Sequence, residues 1–94
     1  ILTPASRDRL LAWMKACATG GARIRAGVPA GWIVADKTGT GFRGAAGDIA
    51  VIWPPVGPPV YLAVYVDLPR AKPAEREAAI AEATRRALRA WALP

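Results

Sequence analysis

The spacing of apolar residues changes several times along this chain, and each change marks an element. Behind Thr3-Pro4, a pair suited to an N-cap and a first helical position, Leu10, Leu11, Met14 and Cys17 recur at helical spacing. Thr19-Gly20-Gly21 stops that helix, and Cys17 reads as a small buried side chain on its apolar face. Residues 22–31, punctuated by glycines and Pro29, read as a connecting loop. WIVADKT (32–38), DIAVIW (48–53) and VYLAVYV (60–66) read as strands, the second apolar enough to predict cover on both faces. GTGFRGAAG (39–47) and the proline-rich turn 54–59 are short links, so the three strands form an antiparallel meander. From Pro73 the period is helical again. Glu75 and Glu77 sit early and Arg85, Arg86 and Arg89 late, as the helix dipole favours, with Ile80, Ala83, Ala87, Leu88 and Trp91 as the apolar stripe. The fold class is α/β of the α+β type: a three-stranded antiparallel meander flanked by an N-terminal and a C-terminal helix.

Ninety-four residues allow one small domain, near the lower size limit for a closed core. Thirteen basic against seven acidic residues give a net charge of +6, which raises the possibility of a small basic nucleic-acid-binding domain. The arginines are scattered and form no run or stripe, so a solvated surface explains them better. One cysteine, Cys17, excludes an internal disulfide and a zinc cluster. The chain has no His, Asn or Gln, and its one serine is Ser6, so neither a Ser-His-Asp triad nor a histidine-based metal site can form within it. No cofactor or metal is expected. No apolar run is long enough to span a bilayer, and no basic-then-apolar leader is present. The start at Ile1, with Met14 the only methionine, suggests a mature or truncated piece.

The chemistry concentrates in DKTGTGFRG (36–44), which fits three signatures at once. As G-x-G-x-x-G it would bind a dinucleotide, but that fingerprint needs a helix after the glycines, and a strand ending in prolines follows here. As D-K-T-G-T it matches the phosphorylated aspartate of cation-pumping ATPases. The next residues, Gly41 and Phe42, depart from that pattern, and the membrane helices such pumps need do not fit in this length. As K-T-G (37–39) it matches one of the three signature boxes of serine β-lactamases and penicillin-binding proteins.

Outside the motif, the last reading alone gains support. LTPASRDRLLAWMKACATG, RIRAGVPAGW, DKTGTG, GDIAVIWPP and AVYV with the arginine-rich last helix stand in order as in class A serine β-lactamases. The chain thus resembles the C-terminal segment of such an enzyme along nearly its whole length, as an incomplete domain over 1–94. The resemblance implies hydrolysis of β-lactams through a serine acyl-enzyme, a periplasmic or secreted location, and the missing N-terminal part of the same enzyme as partner. It implies that Lys37 brings positive charge to the substrate and to proton transfer, while Thr38 and Thr40 hydrogen-bond the substrate carboxylate. The Thr40 N–H would be one oxyanion-hole donor, and Gly39 would allow close backbone approach. Many relatives carry a carboxylate-binding arginine on the next strand, where this chain has Gly44 to Gly47; Arg23 in the preceding loop stands where others place the substitute. Gly47 is a further departure from the usual Asn. Ser6, followed by Arg7-Asp8-Arg9, does not match the S-x-x-K nucleophile, so nucleophile and general base are expected N-terminal to Ile1. A penicillin-binding transpeptidase or carboxypeptidase, which also uses K-T-G, is the alternative enzyme.

Overall fold

A computed structural model describes residues 1–92; the expected domain also runs over residues 93 and 94, which lie outside the described residues. The order is α1 (Pro4–Lys15), α2 (Ile24–Gly27), β1 (Ile33–Thr40), β2 (Ala45–Trp53), β3 (Val60–Asp67) and α3 (Pro73–Ala92). The strands form an antiparallel sheet in the order β1-β2-β3, the meander that short links require. β1 and β2 each run further into the glycine-rich link than the sequence suggested. Gly39 pairs with Gly47 and Thr40 with Ala46, because residues with little side-chain bulk still supply ladder hydrogen bonds. The loop at 22–31 contains one turn of helix, α2.

Register sorts the sheet into two faces. Val34↔Ile52, Asp36↔Ala50 and Thr38↔Asp48 face one side, joined by Val60 and Leu62 of β3. This side is covered by α2 and α3, and Ile24, Val34, Ala50, Ile52, Ile80 and Leu88 form the core there. Ile24, Ile52 and Ile80 are wholly buried. Each contributes about 1.5–3 kcal/mol of transfer free energy.

The other face is largely bare. Ile49, Tyr61 and Tyr65 are 42%, 75% and 74% exposed, so β2 is covered on one face and not on both as its composition suggested. The reason is that α1 packs chiefly beside β1 and reaches β2 only at its end, where Lys15 lies 4.8 Å over the Trp53 ring. The expected apolar face of α1 is not buried either: Leu10 is 41% and Trp13 66% exposed, and the helix buries no residue. A cleft of about 600 Å³ separates that face from Lys37 and Ile49 on the sheet. Helix α1 does begin as the sequence predicts, with Thr3 Oγ1 accepting from the Ser6 N–H at 3.1 Å and Pro4 in the first turn. It ends at Lys15, so Cys17 lies in the following turn, half-buried, and not on the helix.

The apolar stripe of α3 also differs. Ile80, Ala81, Thr84 and Leu88 are buried, while Ala83, Ala87 and Trp91 are exposed. Contact with α2 decides this: a Cβ at Gly27 would lie 2.3 Å from the Ala81 carbonyl and 2.7 Å from Thr84. Backbone meets backbone there, so small side chains occupy the interface and the helix is rotated accordingly.

An open β3 edge beside an uncovered apolar face is a template for association. The purified chain is expected to self-associate at micromolar concentration, and Ile49→Lys with Tyr61→Lys to suppress this. A sedimentation profile showing the unsubstituted chain as a clean monomer would contradict that expectation.

Candidate active site at the free edge of the sheet

The backbone sets the site first. The Gly41 N–H donates to the Ala45 carbonyl at 3.0 Å, making that a directly bonded cross-strand pair. Bonded pairs recur at every second residue of an antiparallel ladder. Gly39/Gly47 and Lys37/Ile49 are therefore bonded, and Thr38 and Thr40 turn their own N–H and C=O groups off the sheet. Since β1 is an edge strand, those groups point into open space. The glycines of the dinucleotide-like pattern lie in this hairpin, with no helix start behind them.

Side chains complete the edge. Lys37 rises on the side facing α1, lines the cleft there, and donates through Nζ to the outward Thr38 carbonyl at 2.8 Å. Thr38 and Thr40 project on the opposite side. A Cβ added at Gly39 would meet nothing within 4 Å, so the strand can be approached closely between them. Thr38 Oγ1 is 2.7 Å from Thr19 Oγ1, and Thr40 Oγ1 accepts from Arg23 NH2 at 2.7 Å.

Arg23 immediately precedes α2 and is 7% exposed. Its NH1 donates to the Gly39 and Gly47 carbonyls at 3.0 and 2.8 Å, and its Nε to Glu77 of α3 at 3.3 Å. The fold thus brings together all five residues singled out in the sequence: Arg23, Lys37, Thr38, Gly39 and Thr40. Arg25, two residues further on, is committed elsewhere. Its Nε donates to Asp36 at 2.7 Å, and NH2 caps the Met14 and Lys15 carbonyls at the end of α1. The side chain at 47 could not be larger without movement, because a Cβ there would lie 2.5 Å from the Tyr65 ring.

A sequence profile of the Beta-lactamase enzyme family matches residues 1–91. The chain belongs to the β-lactamase enzyme family. It is 50% identical over 84 residues to a β-lactamase of Bacillus licheniformis, a match covering 89% of this chain and 27% of that protein. It is 48% identical over 88 residues to the carbapenem-hydrolyzing β-lactamase KPC of Klebsiella oxytoca, covering 93% of this chain and 30% of that one. Among solved structures it matches the class A β-lactamase of Mycobacterium abscessus with a TM-score of 0.88 at 48% identity, over 98% of this chain and 35% of that chain. The class A enzyme of the last common ancestor of Gram-negative bacteria matches with a TM-score of 0.91 at 49% identity, over 96% and 34%. The chain therefore carries a part of the class A β-lactamase fold and spans under a third of the length of these curated relatives.

Beneath the edge of this β-lactamase segment lies a group of residues that sequence reasoning missed. Asp36 and Asp48 are 0% and 1% exposed. Asp36 Oδ1 accepts from Arg25, and Asp48 Oδ2 accepts from the Ile24 N–H at 3.1 Å. Their remaining oxygens, Asp36 Oδ2 and Asp48 Oδ1, have no hydrogen-bond donor among the described residues. One proton shared between the two carboxyls satisfies both. Burial, and then the contact with Asp36, push the Asp48 carboxyl up to about 7. Gly20 closes the site from above, since a Cβ there would come 1.8 Å from Asp36 Oδ2. A period-two reading, which puts Asp36, Thr38 and Thr40 on one face, was the available signal.

A carboxyl raised from 3.8 to about 7 on folding favours the protonated native state. Its contribution is complete below the unfolded value and is lost as pH rises to about 7. Asn at 48 can donate permanently to Asp36 while still accepting from Ile24. In a chimera carrying this segment in the Bacillus licheniformis relative, Asp48→Asn is expected to gain Tm over the parent as pH rises from about 5 to 8. Each kcal/mol would be worth roughly 2–4 °C in a protein of that size. A Tm difference that does not change with pH would rule out the shared proton.

Proposed function

We propose that this segment supplies the substrate-anchoring half of a class A β-lactamase active site. The convergence of Lys37, Thr38, Thr40 and Arg23 on one free strand edge carries this reading. β-Lactams present a carboxylate beside a strained lactam. Two hydroxyls flanked by an ammonium and a guanidinium suit the carboxylate. Arg23 can only donate, so Thr40 Oγ1 accepts from it at 2.7 Å and keeps its own proton for the substrate. The outward Thr40 N–H is placed to be one oxyanion donor, where such a bond counts most as charge develops on the lactam oxygen. Lys37 raises the local positive potential and supports proton transfer to the leaving nitrogen.

The nucleophile and general base come from the N-terminal part of the enzyme, since Ser6, exposed near the start of α1, is followed by Arg7-Asp8-Arg9 and lacks the lysine of an S-x-x-K nucleophile. That part also covers the bare face of the sheet and extends it beside β3. The reaction is hydrolysis through a serine acyl-enzyme. No helix among the described residues is long and apolar enough to cross a membrane. The family resemblance supports a secreted or periplasmic location.

The chain alone is expected to match buffer with a chromogenic cephalosporin, and the chimera to turn it over. In the chimera, Arg23→Ala should lower kcat/KM for penicillins about ten- to a hundredfold, the loss of a charge-assisted hydrogen bond, at fixed salt. Arg25→Ala should act mainly on Tm. If a folded Arg23→Ala chimera keeps kcat/KM within a factor of two, the anchor lies elsewhere.

A further inference from the structure

The two orphaned oxygens beneath the strand edge, Asp36 Oδ2 and Asp48 Oδ1, belong to buried groups that the substrate chemistry leaves unused. One proton between them satisfies both and leaves the pair with a single negative charge. Arg25, donating to Asp36 at 2.7 Å, matches that charge. Among the described residues no second cation is bonded to the pair. Arg23 is the other cation near Asp48, but its hydrogen bonds go to Gly39, Gly47, Thr40 and Glu77. Asp48 itself has the Ile24 N–H at 3.1 Å. With the shared proton, the pair and Arg25 together are neutral. Without it they carry one uncompensated negative charge.

Position makes this count matter. Asp48 is opposite Thr38 in the β1–β2 register, on the same face of the sheet, so the charge would stand next to an anchoring hydroxyl. Both carboxyls are enclosed, at 0% and 1% exposure, where dissolved salt screens a charge poorly.

We propose that the Asp36–Asp48 pair sets the alkaline limit of substrate binding: holding one proton it leaves the edge attractive to a β-lactam carboxylate, and on losing that proton it repels the carboxylate. The proposal rests on the β-lactam reading given above. Asp48 acts through the edge and so is a positioning residue. The carboxylate is equally charged before and during the reaction, so the repulsion acts on KM more than on kcat.

Burial, and then the contact with Asp36, push the Asp48 carboxyl up to about 7, so the proton is held below that pH and lost above it. Other charged groups face the pair from each side. Arg23 and Arg25 flank it at α2, and Glu77 of α3 is held by Arg23. Lys37, next along β1, projects from the opposite face, and β3 brings only Val64 opposite Asp48. Cys17, in the turn after α1, feels the Asp36 charge and can itself titrate at alkaline pH.

The test therefore uses the chimera in a Cys17→Ser background, with Asp48→Asn and Asp36→Asn as separate variants. Each Asn keeps a donor and an acceptor for its neighbours, and leaves at most one negative charge beside Arg25. A unit charge acting over about 10 Å at a protein-like effective dielectric changes a binding constant roughly tenfold, and the open side of the edge reduces this. Between about pH 5.5 and 8.5, KM for a penicillin should rise about three- to tenfold more in the parent than in either variant, with one kcat profile for all three. The variants are independent, so one that fails to fold leaves the other decisive. An equal KM rise in the parent and a folded variant overturns the proposal and leaves the β-lactam reading standing. A parent chimera with no turnover at either pH overturns that reading, and the proposal with it.

Discussion

The Arg23 guanidinium is the interaction on which the rest of the segment depends. It joins four elements at one point: it precedes α2, bonds the Gly39 and Gly47 carbonyls of β1 and β2, holds Thr40, and reaches Glu77 on α3. A buried charge is tolerable only when its donors are met, and a planar fork of fixed N–H directions suits this arrangement where an ammonium would not. The same bonds that stabilise the hairpin also aim Thr40 outward. Fold and the proposed anchor are therefore one feature. Removing Arg23 would leave two strand carbonyls and Glu77 without their cation.

The second buried polar group follows the same logic with a different outcome. Arg25 meets Asp36, but Asp48 has only a backbone N–H, and two carboxyls share the space. Keeping a proton on Asp48 avoids an uncompensated negative charge. Both groups lie where α2 meets the sheet, which explains why a single helical turn can be held firmly. Its neighbours bond its side chains, and Gly27 lets α3 approach its backbone.

Local chemistry made much of this legible in advance. The Thr3-Pro4 start, the three strands and the DKTGTG edge all follow from residues close together in sequence, where caps, turns and period two act. The contacts that complete the site span long separations: Thr19 to Thr38, Ile24 to Asp48 and Arg23 to Glu77. Nothing in composition signals such pairs. The errors over α1 and β2 have another origin. An apolar pattern records which side chains avoid water, not what covers them, and here a cleft stands where Leu10 and Trp13 were expected to pack. The misassigned stripe of α3 reflects Gly27, whose missing side chain set the rotation of the helix against α2.

The net charge of +6 has little bearing on anion binding until its distribution is considered. Arg85 and Arg86 pair with Glu82 on exposed α3, where ion pairs contribute little. At the strand edge the balance is finer. Lys37 and Arg23 bring two positive charges, Glu77 offsets one, and Asp36 is matched by Arg25. Asp48 sits opposite Thr38 in register, next to one of the two hydroxyls proposed to hold the carboxylate. Were Asp48 ionised, its charge would cancel what remains of the attraction, in a setting too dry for effective screening. A proton held there keeps the edge positive. If the edge binds a carboxylate as proposed, the buried dyad serves the site as well as the fold, because the carboxyl without a hydrogen-bonded cation is the one whose charge would oppose that binding.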